Sequence, residues 1–273
     1  MGIITISREL AALGDETANE LAKKLRYRLV DKSVLEDRIK SYGVTSSKFQ
    51  KYDEKKPSFF ASLSRDRDDY LHFLKAAILD EAGQGSAVII GRGAGIILNS
   101  VPGVFSVFLV ASPEIRLERV KSYFHCDDKR ARQIIEKSDN DREGFHSYFF
   151  DTRWKDPEHY HLVMNTGYLR PELCAELIKK MRDRIMTKKA DTQSALRIEE
   201  LILAQKIKNH ILFQKEISIH FLEASVSGKT VLLYGVANAP SMAEAAVAAA
   251  KGFVTDYSIQ SEIQVVQDFS VIP

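Results

Sequence analysis

The chain has 273 residues, about 1.8 times the ~150-residue domain prior, so two domains are expected. Hydrophobic residues make up 45% and charged residues 28%, enough apolar material for a core without disulfide or metal staples. Lys and Arg total 39 against 37 Asp and Glu, a net charge of +2 that excludes gross polybasic binding to nucleic acid or to a membrane surface. The two cysteines, Cys126 and Cys174, form neither a metal motif nor a disulfide framework, and a reducing, cytoplasmic compartment is expected. The opening MGIITISREL has none of the features of a signal peptide, and no apolar run reaches the ~18 residues of a membrane span.

In chain order, Met1 to Ser7 predicts a short buried strand, and Glu16 to Arg28 a helix with Ala18, Leu21, Ala22 and Leu25 at helical spacing. Arg28 to Asp31 predicts a second strand, followed by a helix through Val34, Leu35 and Ile39. Residues 43–60 are polar and lysine-rich and are expected to be a loose insertion. Tyr70 to Ala82 predicts an amphipathic helix, and Ala87 to Ile90 a strand running into Gly91-Arg92-Gly93. Phe105 to Val110 is the most strand-like run, and Pro113 opens a helix at a first-turn position where its missing N–H costs little. Residues 125–156 are dense in Asp, Arg and Lys. His161 to Met164 predicts a strand and Pro171 to Met186 a closing helix. Strands alternating with helices argue for βαβ units and a parallel sheet covered on both faces, an α/β fold.

Lys188 to Thr192 is polar and is expected to be a linker, with a domain boundary near residue 190: one domain over 1–190, the other over 191–273. A helix carrying Leu196, Ile198, Leu201 and Ile207 follows. Strands at Glu216–Ala224 and Lys229–Gly235, a helix at Met242–Gly252 and a strand at Ser261–Val266 complete an α-β-β-α-β unit.

A strand that leaves into a small-residue loop and then a helix suits an anion, because the helix N-terminus offers unpaired N–H groups and positive dipole charge. The strict phosphate-loop pattern G-x-x-x-x-G-K-[ST] is absent; the loop reads Arg8-Glu9-Leu10-Ala11-Ala12-Leu13-Gly14-Asp15-Glu16-Thr17. The longer pattern is more informative. ITISREL, Gly14-Asp15-Glu16-Thr17, LAKKL and RLVDK, then VIIGRG at 88–93, VFLVA at 107–111 with Arg116 and Arg119, Asp139 to Arg142, Trp154-Lys155-Asp156 and Tyr160 to Thr166 appear in order. Over residues 2–187 this resembles the cytidylate kinase-like family, a branch of the P-loop nucleoside monophosphate kinases.

The resemblance implies a P-loop NTPase-type three-layer α/β/α fold. It also implies ATP-dependent phosphoryl transfer to a nucleoside monophosphate, CMP or dCMP first, with ATP and Mg²⁺. It places the donor phosphates over Ser7, Arg8, Gly14, Asp15, Glu16 and Thr17, with Arg116 and Arg119 at the donor side of a lid. It places the acceptor monophosphate near Asp31 and Arg92, and closes Arg130, Arg132 and Arg142 over the site. Arginine suits these tasks because its planar fork bonds phosphate bidentately and keeps its charge.

The departure from the family pattern is in the loop. Ala11, Ala12 and Leu13 stand at glycine-rich positions, and Asp15 stands where phosphate loops carry a cation. At an effective dielectric of ~20, a unit charge at ~4 Å is worth about 4 kcal/mol before screening, so the reversed sign matters more than a lost glycine. Mg²⁺ bridging by Asp15 or Glu16 would offset part of it. The alternative reading is a catalytically impaired nucleotide sensor or scaffold that keeps the kinase fold.

Other readings stay open residue by residue. Arg92 serves the site or a structural ion pair, and Asp31 binds substrate or caps the helix after it. Arg130 and Arg132 belong to the lid or to a solvated face. Trp154 is expected in the core. His125 with Cys126, and His159 with His161, have no matching cluster, so no metal site is expected. Residues 197–273 resemble a BON domain through Ile217 to Phe221, the hairpin and Val231-Leu232-Leu233-Tyr234-Gly235-Val236, with Gly235 expected to turn the chain out of the sheet. That resemblance implies a ligand-binding, partner-binding or homo-oligomer-forming module.

Overall fold

The structure is a computed structural model and describes residues 2–43, 66–185 and 187–266. The lysine-rich insertion expected at 43–60 therefore lies outside the described residues, apart from Gly43. The chain divides into two compact units, 1–195 and 196–273.

The first unit is built on strands β1 (Ile3–Arg8), β2 (Arg28–Val30), β3 (Ala87–Ile90), β4 (Val104–Val110) and β5 (Leu162–Asn165). They lie in the order β2-β3-β1-β4-β5, and every pair is parallel. Ile3 to Ile6 of β1 pair with Ala87 to Ile90 on one side and Val104 to Val107 on the other. Central strands covered on both faces read as continuous apolar runs, and β3 and most of β4 are buried throughout.

Helices α1 (Gly14–Leu25), α2 (Lys32–Ser41), α3 (Asp66–Gly83), α4 (Ala94–Ile97), α5 (Pro113–Phe124), α6 (Asp128–Phe150) and α7 (Pro171–Ile185) connect the strands. Their starts follow local chemistry. Asp31 accepts a hydrogen bond from the Val34 N–H at 3.0 Å and caps α2, and Asp127 accepts one from the Arg130 N–H at 2.8 Å and caps α6. Helix α1 ends at Leu25, short of the expected Arg28, because Arg26 turns left-handed at φ 54°. Its buried face, including Ala18, Leu21 and Ala22, joins Ile4, Ile6, Phe105, Val107 and α7 residues Cys174, Ala175 and Ile178 in one core. Glu81 of α3, 3% exposed, takes Arg28 of β2 and Arg38 of α2 at 2.7 Å each and ties three elements together.

The linker expectation at Lys188 to Thr192 is overturned. Those residues open helix α8 (Lys188–Asn209), because the run has no Gly or Pro and Thr187 caps it, its Oγ1 accepting from the Ala190 N–H at 3.2 Å. In the second unit, β6 (His220–Ser227) and β7 (Thr230–Ala237) form an antiparallel hairpin turning at Gly228 (φ 56°) and Lys229, tighter than expected. Helix α9 (Pro240–Phe253) then carries the chain to β8 (Ser258–Val265), parallel to β7. The separate core includes Ile207, Ile211, Leu222, Val231, Leu233, Ala246 and Ala250.

Gly235 does not turn the chain out of the sheet. It lies inside β7 paired with Ile263, and a Cβ there would come within 2.9 Å of the His220 carbonyl oxygen and 3.2 Å of the Leu222 Cα. Beside it the register of β6 shifts between His220 and Glu223, with Phe221 at φ 53°. Glycine is needed for this close backbone approach at a bulge. No helix of the described residues is long and apolar enough to cross a membrane.

Candidate active site

In an open parallel sheet, ligands bind outside the carboxyl ends of the strands. Here β1, β3 and β4 end together, and the segments after β1 and β3 carry the expected site. The loop after β1 runs from Glu9 to Leu13 and enters α1 at Gly14. Ala11 (φ 59°) and Leu13 (φ 53°) take left-handed backbone, the region a glycine occupies freely. The loop folds on itself, with Ala12 N–H donating to the Glu9 carbonyl at 3.2 Å and Thr17 N–H to the Leu13 carbonyl at 3.0 Å. Thr17 is buried and its hydroxyl donates to the same Leu13 carbonyl at 2.7 Å.

Arg116 and Arg119 of α5 hold this loop from outside. Arg116, 4% exposed, donates from Nε to the Leu10 carbonyl at 2.8 Å and grips both oxygens of Asp139 at 3.0 and 2.7 Å. Arg119 donates to the Ala11 carbonyl at 2.9 Å and the Thr166 carbonyl at 2.8 Å. Both guanidinium groups thus fix the peptide planes of the loop.

Two residues that sequence reasoning assigned no role complete a charge cluster here. Glu9 lies 3.2 Å from Arg116 and accepts from the Ala111 N–H at 3.3 Å, and the Lys155 ammonium bridges Glu9 at 2.7 Å and Asp139 at 3.0 Å. Two carboxylates and two cations balance. Burial pushes the Asp139 carboxyl up, and the hydrogen bonds and charges of Arg116 and Lys155 outweigh it, leaving it below the ordinary carboxylate value. Burial pushes Lys155 down, and Glu9 and Asp139 outweigh that to hold it above the ordinary lysine value. The adjacency of Glu9 to the ISR strand and the Trp154-Lys155-Asp156 run were the available signals.

After β3 the three residues Gly91, Arg92 and Gly93 all have positive φ, 69°, 55° and 68°. A left-handed turn on a non-glycine residue is strained by about 1–2 kcal/mol, and such strain gathers at functional sites. Two recesses flank this turn. One, narrow, is lined by Ser7, Arg8, Gly91, Arg142, Phe145, His146 and Trp154. The other, equally narrow, is lined by Arg92, Glu36 and Tyr70 with Leu35, Ile39 and Leu74. Arg92 is 5% exposed and donates to the Tyr70 hydroxyl at 3.0 Å and to Glu36 at 3.3 Å.

Trp154 is buried, edge-on to Phe108, with the Arg142 guanidinium 5.8 Å and the Lys155 ammonium 5.3 Å from its ring centre. Arg142 also donates to the Ser138 hydroxyl. Tyr160 donates to the Trp154 carbonyl at 2.7 Å, and burial keeps it protonated, its pKa pushed up to about 12.

The structure therefore brings Ser7, Arg8, Arg142 and Arg92 to the two recesses. Asp15 and Glu16 are exposed in the first turn of α1, beside the loop. Arg130 and Arg132 are exposed on α6 and line neither recess. Asp31 caps α2. His161 accepts at Nδ1 from the Ser106 N–H at 3.0 Å, a structural use, and among the described residues no group of three or more His, Cys, Asp or Glu is placed to hold a metal.

A model of the cytidylate kinase-like family matches residues 3–168, more than half of the chain. The chain belongs to the cytidylate kinase-like family. A BON domain model matches residues 200–267, the second unit. The solved structure of an uncharacterized protein from Eubacterium ventriosum is similar, 23% identical, covering 67% of this chain and 99% of that one with a TM-score of 0.53. Shikimate kinases from Bacteroides thetaiotaomicron and Acinetobacter baumannii are more distant: each is 14% identical, with TM-scores of 0.40 and 0.37. They cover 67% and 68% of this chain, and 97% and 93% of their own. No curated protein matches. The expected parallel α/β kinase-like fold followed by a small BON domain is thus the arrangement found.

Proposed function

We propose that the first unit transfers a phosphoryl group from MgATP to a nucleoside monophosphate, with CMP or dCMP as the acceptor. Family membership supports the reaction class. The observation that carries the reading is the set of arginines gathered at the carboxyl ends of the parallel strands, Arg8 and Arg142 beside Gly91 and Arg92 on the strained turn against α2 and α3. Phosphoryl transfer needs two polyanions held in line and little covalent chemistry, so positioning and charge neutralisation are the protein's task.

In this reading the donor phosphates lie over the loop after β1, in reach of Ser7, Arg8 and the first-turn N–H groups of α1. Arg116 and Arg119 contribute by holding the Leu10 and Ala11 carbonyls and so the path of the loop. Arg142 approaches from α6 and Arg92 meets the acceptor phosphate, exchanging Glu36 for it. Magnesium ions prefer a few hard oxygens with phosphates and water, and the exposed carboxylates of Asp15 and Glu16 at the head of α1 fit that donor set. Mg²⁺ would arrive with ATP and neutralise its phosphates.

A second reading keeps nucleotide binding without turnover. Ala11, Leu13 and Asp15 in the loop favour it, since each raises the cost of the phosphate-bound geometry. The BON domain is then a ligand-binding or assembly module. Titration calorimetry with MgATP, and separately with CMP and dCMP, tests both readings: heat from both classes of nucleotide is expected. Absence of MgATP binding overturns both.

A further inference from the structure

Helix α7 is apolar on two sides. Cys174, Ala175 and Ile178 lie in the core of the first unit. Leu173, Leu177, Met181 and Ile185 lie outside it, 43%, 36%, 41% and 47% exposed. Each follows the last by four residues, so the four form one ridge along the helix, about 18 Å long at ~1.5 Å per residue. Exposed apolar residues scattered singly are ordinary, but an unbroken ridge of this spacing is what packs into the groove of another helix. No residue of α7 lines either recess of the candidate site, so the site does not account for the ridge.

A charged ridge runs beside it at the same spacing: Glu172, Glu176, Lys180 and Arg184, all exposed. Acid at the start and base at the end suit the helix dipole. The same order is complementary to itself when reversed. Lys179 and Arg182 are already met within the helix by Asp183, at 2.6 and 3.0 Å. Lys180 and Arg184 have no ion pair among the described residues, and Glu176 has a loose one, to Lys24 at 3.9 Å.

Two copies of α7 laid antiparallel put Leu173 of each opposite Ile185 of the other, and Leu177 opposite Met181. In nearly the same register Glu172 falls opposite Arg184 and Glu176 opposite Lys180. A parallel pairing in register would set acid on acid and base on base. We propose that the exposed face of α7 docks a second copy of this chain, antiparallel, about a two-fold axis. Such an interface is isologous and closes at two copies. A single helix face is at the small end of protein interfaces, on the order of 1,200 Å² in total or less, so a dissociation constant in the micromolar range is expected.

Sedimentation equilibrium of the full chain, over a concentration series spanning the micromolar range, is expected to show monomer passing to dimer. Leu177→Glu, a charge in the middle of the apolar ridge, is expected to weaken dimerisation about tenfold or more. Exchange of charge tests the orientation. Glu172→Lys with Glu176→Lys makes the charged ridge wholly basic, and Lys180→Glu with Arg184→Glu makes it wholly acidic. Each double variant alone is expected to stay monomeric, because like charges meet across the axis. An equimolar mixture of the two is expected to recover the dimer.

Thermal unfolding establishes that each variant is folded, and if Leu177→Glu is not, Met181→Lys takes its place. A full chain that is monomeric throughout the series overturns the proposal. A dimer that Leu177→Glu and both charge variants leave unchanged also overturns it, because the contact then lies on another surface. Loss of the dimer in both charge variants with no recovery in the mixture overturns the antiparallel pairing.

Discussion

Ala11 and Leu13 hold left-handed backbone in the loop after β1, where side chains with a Cβ are strained by about 1–2 kcal/mol each. The loop keeps this conformation because Arg116 and Arg119 hold the Leu10 and Ala11 carbonyls from outside. Ala11→Gly removes the strain at φ 59° and gives up one methyl group, with some added unfolded-state entropy. It is expected to raise stability by about 1 kcal/mol in urea denaturation, and a loss of stability would show that the Ala11 contacts outweigh the backbone term. The loss of glycine and the reversed charge were legible in the order of residues. The partner of Asp15 was not, because Arg8 lies on the preceding strand and reaches Asp15 only after the loop closes and Gly14 leaves room. For Asp31 the structure shows the capping role, a hydrogen bond within one turn that the Asp-x-x-Val spacing already allowed.

The loop after β1, the helices α5 and α6 and the segment after α6 meet at the Glu9, Arg116, Asp139 and Lys155 cluster. A run as rich in charge as residues 125–156 reads as a solvated surface, and Arg130 and Arg132 are on one. Asp139 and Arg142 lie on the inward side of the same helix, a distinction that depends on which face α6 presents to α5 and Trp154 and is not encoded in composition. Breaking a buried charge network by removing one member costs about 3 kcal/mol, because it leaves its partners desolvated and unbalanced. Asp139→Asn is therefore expected to lower stability by about that amount.

The pH dependence has a definite sign. The Asp139 and Glu81 carboxyls are each pushed up by burial and brought below their ordinary value by their arginine and lysine partners. A depressed carboxyl pKa gives stability that is complete above the unfolded value, about pH 4, and lost as the pH falls through the folded one. Acid unfolding midpoints are expected to move to higher pH in Asp139→Asn, which has already lost the favourable contribution. An unshifted acid limb would show that the cluster carries no linkage.

At the scale of the molecule, the balanced charge of +2 excludes a polybasic binder, and what decides the reading is where individual charges sit. The alternation of strands and helices was enough for a parallel α/β sheet, and the ordered motifs for the family. The division of the chain was harder to read: the polar run at Lys188 to Thr192 has linker composition, yet Thr187 caps it and it continues as α8 to Asn209. Each unit has its own core. The central claim is that this first unit moves a phosphoryl group between nucleotides. Phosphorus NMR of the full chain with MgATP and an equimolar panel of nucleoside monophosphates tests it most directly. The account predicts ADP together with a new diphosphate, CDP or dCDP first. Unchanged ATP and monophosphate signals, with MgATP demonstrably bound, would contradict it and leave a nucleotide-binding protein that has kept the kinase fold.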